Sequence, residues 1–326
     1  MQSSLCAVLN HTGSADAFSL EETPIKPLNP NEVLLKHTAI GVNFIDTYYR
    51  EGLYDINLPC VLGDEAIGII QQVGEGVSEF SVGQRVAYPT SKGAYCSMRT
   101  ISCDEIVSVP DTLDDLTVAA SLMRGMTVEY LLCRLYQLKA GETVLIHAAA
   151  GGVGVIACQW AKAIGATVIG TVSSKLKADI ARKNGCDYPI IYTEQNFYQE
   201  VLRITNGKKV DVVYDSVGKD TFEQSLDCLR PRGLMVSYGN ASGKPDPLDV
   251  LSLSSRGSLF LTRPSLFHYT QDKEELRAGA EHYFSLLEKG VIKIDAGKPF
   301  PLTQVADAHR YLENRNSLGT PVLIPS

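Results

Sequence analysis

The sequence predicts a two-domain α/β protein, a mostly-β domain followed by a doubly wound parallel sheet of the Rossmann type. Three observations carry this expectation. The chain has 326 residues, enough for two cores at roughly 150 residues per domain. Leu-Ile-His-Ala-Ala-Ala-Gly-Gly-Val-Gly at 145–154 runs an apolar strand into glycines and on into a helix. From Thr143 onward strand-like and helix-like segments alternate, whereas the chain before Leu116 holds short β-like runs between turn residues.

Taken in order, β-like runs lie at 32–39, 66–73, 85–88 and 94–101. Gly74, Gly76, Gly83, Gly93 and several prolines punctuate them. An apolar helical stretch then extends from Leu116 to about Gln137. The alternation that follows places strands at 143–147, 167–171, 188–192, 210–215, 234–238 and 258–262, with helical segments between most of them. After Arg263 the chain is helical over 273–289. It ends in short segments at 298–301 and 321–324 around a helix at 307–314, a tail expected to return to the first domain.

The strand at 143–147 leads into a helix whose apolar face is Val153, Ile156, Ala157, Trp160, Ala161 and Ile164, with Gly165 as its stop. This is the strand–turn–helix–strand unit that binds a dinucleotide. Gly151 is expected to make the tight turn under a pyrophosphate and Gly154 to let helix and strand approach. The helix N-terminus, from Gly152 and Val153, then offers unpaired N–H groups to phosphate. Ala149 stands where the first glycine of G-x-G-x-x-G would be.

The cofactor is read further on. NAD-binding folds often place an acid about 20 residues after the first glycine, on the ribose diol. Here Thr171, Val172, Ser173 and Ser174 occupy that place, Lys175 and Lys177 follow, and no acid appears before Asp179. A 2′-phosphate is repelled by carboxylate and held by hydroxyl and ammonium groups. NADPH is therefore expected, with Lys177 on the phosphate and Ser173 beside it.

Hydrophobic residues make up 44% and charged residues 21%, as in soluble globular chains. A net charge of −7 argues against a broad nucleic-acid or anionic-membrane surface. No apolar run reaches the ~18 residues that span a bilayer. The opening Met-Gln-Ser-Ser-Leu-Cys lacks a basic region followed by an apolar core, so no secretory signal is expected. Eight scattered cysteines without a C-x-x-C read as reduced thiols of a cytoplasmic protein.

Several blocks, in order, resemble the zinc-free NADPH:quinone oxidoreductases, relatives of ζ-crystallin in the medium-chain dehydrogenase/reductase superfamily. They are Ala-Ile-Gly-Val-Asn-Phe-Ile-Asp-Thr-Tyr (39–48), Gly-Asp-Glu-Ala-Ile-Gly (63–68), the glycine motif, Val-Val-Tyr-Asp-Ser-Val-Gly (212–218), Gly-Leu-Met-Val-Ser-Tyr-Gly-Asn (233–240) and Leu-Thr-Arg-Pro-Ser (261–265). The resemblance implies a GroES-like substrate domain at 1–122, completed by 265–326, and an NADPH-binding Rossmann domain at 123–264. It implies hydride transfer from NADPH to a quinone or other conjugated acceptor, without zinc or flavin, in a homodimer. Zinc-dependent relatives hold Cys and His where this chain has Asn43 and Asp64, and a neutral amide is a poor zinc ligand.

By the same resemblance Asn43 and Tyr54 orient the substrate, Asn43 also lining the cofactor, with Asp46 and Tyr48 behind them. Thr127 meets the nicotinamide carboxamide, and Ser173, Lys177 and Tyr192 grip the adenosine phosphate. Ser216, Tyr238, Gly239, Asn240, Thr262 and Arg263 follow strand ends, where open parallel sheets bind ligands, and Arg315 is a further family contact. Asp46 is expected to be ionised, Asp64 to be a solvated or capping carboxylate, Glu65 to accept backbone hydrogen bonds, and His147 to be structural. The strand near 257–262 reads as a sheet edge that exposes Leu259 and Leu261 and pairs with a second copy. Two other readings use the same features. One is reduction of an activated C=C bond in an enone or enoyl thioester. The other is a non-enzymatic NADPH-binding protein, structural or RNA-binding.

Overall fold

The computed structural model describes residues 2–295, 297–314 and 319–325. The chain forms two compact units, Met1–Met126 with Tyr269–Ser326, and Thr127–His268.

The first unit opens with β1 (Ser3–Leu9), β2 (Phe18–Pro24), β3 (Glu32–Gly41), α1 (Phe44–Glu51), β4 (Cys60–Val61) and β5 (Ala66–Val73). It continues through β6 (Arg85–Tyr88), β7 (Met98–Ser102), β8 (Val107–Ser108), α2 (Asp115–Ala119) and the start of α3 (Leu122–Glu129). In the second unit follow β9 (Thr143–Ile146), α4 (Gly152–Ile164), β10 (Thr167–Val172), α5 (Lys175–Lys183), β11 (Tyr188–Ile191) and α6 (Phe197–Ile204). Then come β12 (Val210–Asp215), α7 (Phe222–Asp227), β13 (Leu229–Ser237), α8 (Leu251–Ser255) and β14 (Phe260–Thr262). The chain returns to the first unit with α9 (Lys273–Glu288), β15 (Pro299–Pro301), α10 (Val305–Glu313) and β16 (Val322–Ile324).

In the first unit β2, β1 and β4 make a small sheet, and the larger sheet runs β15-β16-β3-β5-β6-β8 with β7 also on β3. The long β3 is the hub, so its residues Val33 to Leu35 and Ala39 to Gly41 are buried. Leu35, Ile40, Leu62, Ile70, Tyr88 and Tyr95 are fully buried here, with Phe300 and Leu323 from the C-terminal tail in the same core. Each such aliphatic side chain contributes about 1.5–3 kcal/mol relative to exposure. The expected strand at 94–101 begins only at Met98, because the preceding residues loop back onto β1 and residues 62–63.

In the second unit six strands run parallel in the order β11-β10-β9-β12-β13-β14. Their core is Leu145, Ile169, Val213, Phe222, Met235 and neighbours. Gly165, at φ 97°, closes α4 in the left-handed region, as expected of a glycine stop.

Two further elements differ from expectation. The apolar stretch from Leu116 is not one helix. Ser121 Oγ donates to Thr117 O at 2.6 Å and Arg124 to Ala120 O at 3.2 Å. Such back-bonding competes with the helical ladder, and α2 and α3 separate there. After α3 the chain widens into a π-type turn over Tyr130–Leu135. The last strand starts at Phe260 rather than 258, because Gly257 and Ser258 turn the chain at φ 112° and 57°. Leu259 is consequently buried and Leu261 half-buried against the core, both contrary to expectation, and Phe260 is 61% exposed at this edge.

Candidate active site

The second unit builds a dinucleotide cradle. β9 delivers the chain to the N-terminus of α4, where Gly151 is the cap residue and no side chain accepts from the first turn. The N–H groups there are left for an external anion. Gly154 is forced by contact, since a Cβ would lie 2.3 Å from Ala148 O and 2.8 Å from Ala149 Cα. Contrary to the sequence expectation, Gly151 does not make the left-handed turn. Its φ is −82°, and the left-handed residue is Ala148 at φ 52°.

The other expected cofactor residues gather along the C-terminal edge of this sheet. Ser173 and the half-buried Lys177 follow β10, with Ser174 capping α5 through the Lys177 N–H. Lys177 has no ion-pair partner among the described residues. The half-exposed Tyr192 follows β11, its N–H on Val172 O at 3.1 Å. Ser216 and Gly239 are packed so closely that a Cβ on the glycine would meet Ser216 O at 2.4 Å. Tyr238 and Asn240 flank Gly239, Thr262 ends β14 and Arg263 follows it, donating to Ser237 O at 2.8 Å. Thr127 is half-buried in α3. Arg315 lies outside the described residues.

Beneath this edge, Asp215 accepts from Val217 N–H, Gly218 N–H and Thr221 Oγ1 at 2.7, 3.0 and 2.7 Å. It anchors the loop that carries Ser216. His147 bridges Thr171 Oγ1 at 2.9 Å and Ser225 Oγ at 2.8 Å in a fully buried setting, and burial lowers its pKa. It is a strut between strand and helix.

The first unit holds a buried polar cluster. Asn43 caps α1 and is 5% exposed. Its Nδ2–H donates to Glu65 Oε1 at 2.6 Å, and Glu65 Oε2 accepts from Met123 N–H at 2.7 Å. Glu65 thus accepts a backbone bond and also fixes the Asn43 amide. Burial pushes its carboxyl up to about 7, against Arg124, Asn43 and Met123. Arg124 spends its own N–H groups on Ala120 O and Val42 O.

Asp46 overturns its expected ionisation. It is wholly buried and rises to about 8, first by desolvation and next by the charge of Asp64. Its Oδ2 accepts from Asn43 N–H at 2.8 Å and from Tyr95 OH at 2.8 Å. Tyr95 OH in turn meets His309 Nε2 at 3.0 Å, and Arg50 NH1 meets His309 Nδ1 at 3.1 Å. A guanidinium can only donate, so Nδ1 accepts, Nε2 carries the proton and donates to Tyr95, and Tyr95 donates to Asp46. Arg50, 1% exposed, is held by Glu313 at 2.6 Å and Glu51 at 2.5 Å.

Asp64 is also corrected. It is wholly buried, neither solvated nor capping, and both its carboxyl oxygens are without a hydrogen-bond partner. Burial raises it to about 6, with Lys92 and Arg99 opposing. Lys92 itself sits 3.3 Å over the Tyr49 ring. Tyr54 packs edge-on against Tyr48 and Tyr49 at 5.3 and 5.7 Å, past the end of α1 from Asn43. Tyr95, His309 and Arg50 were not singled out by the sequence, because no motif marks them.

Two family models match, the alcohol dehydrogenase GroES-like domain over residues 29–138 and the zinc-binding dehydrogenase over 152–282. A quinone oxidoreductase of Pseudomonas aeruginosa is 49% identical over 93% of this chain and 93% of that protein. The chain belongs to the quinone oxidoreductases of the medium-chain dehydrogenase/reductase superfamily. A 2-haloacrylate reductase of Burkholderia is 46% identical over 98% of this chain and 99% of its own length. The crystal structure of the Escherichia coli quinone oxidoreductase complexed with NADPH superposes with a TM-score of 0.93 at 45% identity, over 98% of this chain and all of that one.

Membership raises the question of zinc, which the name of one matching model carries. The residues here do not suit it. The Asn43 amide is a donor to Glu65, and among the described residues no three Cys, His, Asp or Glu ligand atoms converge around Asn43 and Asp64. The dinucleotide fits better, since the α4 N-terminus is uncapped and Gly154, where a Cβ would lie 2.3 Å from Ala148 O, lets the helix start close against the loop.

Proposed function

We propose that this chain is an NADPH-dependent quinone reductase that needs neither zinc nor flavin. The full-length similarity to the E. coli enzyme whose structure contains NADPH carries the reading, and the uncapped α4 supports it. Residues 123–264 serve as the NADPH domain and 1–122 with 265–326 as the substrate domain.

NADPH supplies the hydride when bound. Backbone N–H groups at Gly151, Gly152, Val153 and Gly154 hold its pyrophosphate, and Ser173, Lys177 and Tyr192 hold the phosphorylated adenosine end. Thr127, Ser216, Tyr238, Gly239, Asn240, Thr262, Arg263 and Arg315 complete the cofactor contacts. Asn43, backed by Glu65, and Tyr54 orient the acceptor without exchanging protons.

Steady-state NADPH oxidation with a panel of quinones and enones tests the assignment. Quinones are expected to show the higher kcat/KM. A consistent preference for enones would favour the second reading, reduction of an activated C=C bond, which the similarity to the 2-haloacrylate reductase supports.

The cofactor choice has its own test. Removing one charge-assisted phosphate contact costs about 1.5–3 kcal/mol. Lys177→Ala should therefore raise the Kd for NADPH roughly tenfold or more and leave NADH unchanged. Equal weakening of both would refute the 2′-phosphate role.

A homodimer through β14 is part of the proposal. The strand lies at the sheet edge and exposes Phe260, with Val250 and Leu251 also exposed on and before α8, and an unpaired apolar edge is a template for a second copy. Light scattering should give twice the chain mass at micromolar concentration, and Phe260→Lys should shift it toward monomer. A wild-type monomer would end the idea. Among the described residues no helix is long and apolar enough to cross a membrane, and a cytoplasmic location is proposed with the rest.

A further inference from the structure

We propose that Cys6 and Cys96 are a modification site, a dithiol that a hydroperoxide closes to a reversible disulfide. Both are free and buried in the first unit. They face each other across an isolated antiparallel bridge between β1 and the loop before β7. The flanking bonds define the pairing. Ala7 N–H donates to Tyr95 O at 2.8 Å and Ser97 N–H to Leu5 O at 2.8 Å. Residues enclosed between two such bonds form a non-hydrogen-bonded pair, whose Cα atoms approach to about 4.5 Å with side chains on one face. That separation lies within the range a disulfide accepts, about 4.4–6.8 Å.

The two sulfurs are chemically unequal. The Cys96 side chain facing it, and after it Thr23 and Ser4, hold Cys6 down to about 6 in spite of burial, while the Cys96 thiol donates to Gly93 O at 3.3 Å. The Cys6 sulfur is in turn the largest cause that pushes Cys96 up. Cys6 is thus the thiolate that attacks and Cys96 the thiol that resolves. The backbone at Cys96 is pinned, since its carbonyl accepts from His37 Nδ1–H at 2.8 Å. The half-buried Cys60 has no such partner, and burial raises its thiol.

The Cys6 thiolate attacks one oxygen of the hydroperoxide. The O–O bond breaks, the leaving oxygen departs with the bonding pair and takes a proton from water, and Cys6 becomes a sulfenic acid. The Cys96 sulfur then attacks the Cys6 sulfur. The S–O bond breaks and that oxygen leaves as water with the Cys96 proton. Two thiols are oxidised to one disulfide, and one hydroperoxide is reduced.

The test treats the full-length protein with hydrogen peroxide, alkylates it under denaturing conditions and maps peptides by mass spectrometry without reductant. The expected result is loss of two alkylatable thiols and a linked peptide joining Cys6 to Cys96, which dithiothreitol abolishes. In Cys96→Ser the Cys6 sulfenic acid should instead be trapped by dimedone. Cys6 and Cys96 staying alkylatable while Cys60 and Cys133 are oxidised would overturn the proposal. So would Cys6 ending as sulfinic acid with Cys96 untouched. The wild-type map decides the matter even if the serine variant folds poorly.

Discussion

Asp46→Asn is expected to remove one proton's worth of pH dependence from the stability of this protein, about 1.4 kcal/mol per pH unit. The window runs from the ordinary aspartate value of 3.8 to about 8. Desolvation is the main cause of the raised value. Asp64 and Glu65 add to it, while the Asn43 N–H and Tyr95 bonds oppose it. The charge of Arg124 also reaches this carboxyl. Across the window the folded protein keeps a proton that the unfolded chain has released. The contribution of Asp46 is therefore complete below about pH 4 and is lost as pH rises through about 8. Asp64 and Glu65, raised to about 6 and about 7, act in the same sense. Asparagine keeps an oxygen for the bonds from Asn43 and Tyr95 and has no charge to bury. Urea unfolding at a series of pH values measures the slope. Identical slopes for variant and wild type would show that Asp46 ionises normally.

Asn43→Ala is expected to slow hydride transfer by about 10- to 100-fold in a single turnover at saturating NADPH, the loss of one orienting hydrogen bond. The alanine takes away both the amide and the donor that Glu65 Oε1 receives at 2.6 Å. Tyr54→Phe should fall in the same range, since the ring packing on Tyr48 and Tyr49 survives and only the hydroxyl goes. A loss near ~10⁴-fold in either variant would identify that residue as a proton donor and end the orientation reading.

The nucleotide cradle is legible in the sequence because its demands are local. A strand, glycines, a helix of period 3.6 and a second strand all fall within 143–172. Even there the left-handed residue escaped notice, since it is Ala148 and alanine seldom adopts that conformation. The carboxyl cluster is not legible, because burial is set by residues far along the chain. Nothing next to Asp64 in sequence announces that it lies in the interior. His309 reaches Arg50 across 259 residues. The β14 edge shows the same limit on a smaller scale, where two left-handed residues exchange the sides of Leu259 and Phe260.

The hydrogen bonds from Arg50 through His309 and Tyr95 to Asp46 all point one way. A line of donors conducts protons only if its first member can be emptied and refilled, and a guanidinium does neither at ordinary pH. His309, which burial and then Arg50 hold down to about 3, takes up no second proton in its place. The path from the Glu313 surface to Asp46 is therefore an insulator. Exchange of the Asp46 proton with bulk water has to proceed on its other side, and in the proposed reaction the reduced acceptor takes its protons from water that reaches it directly.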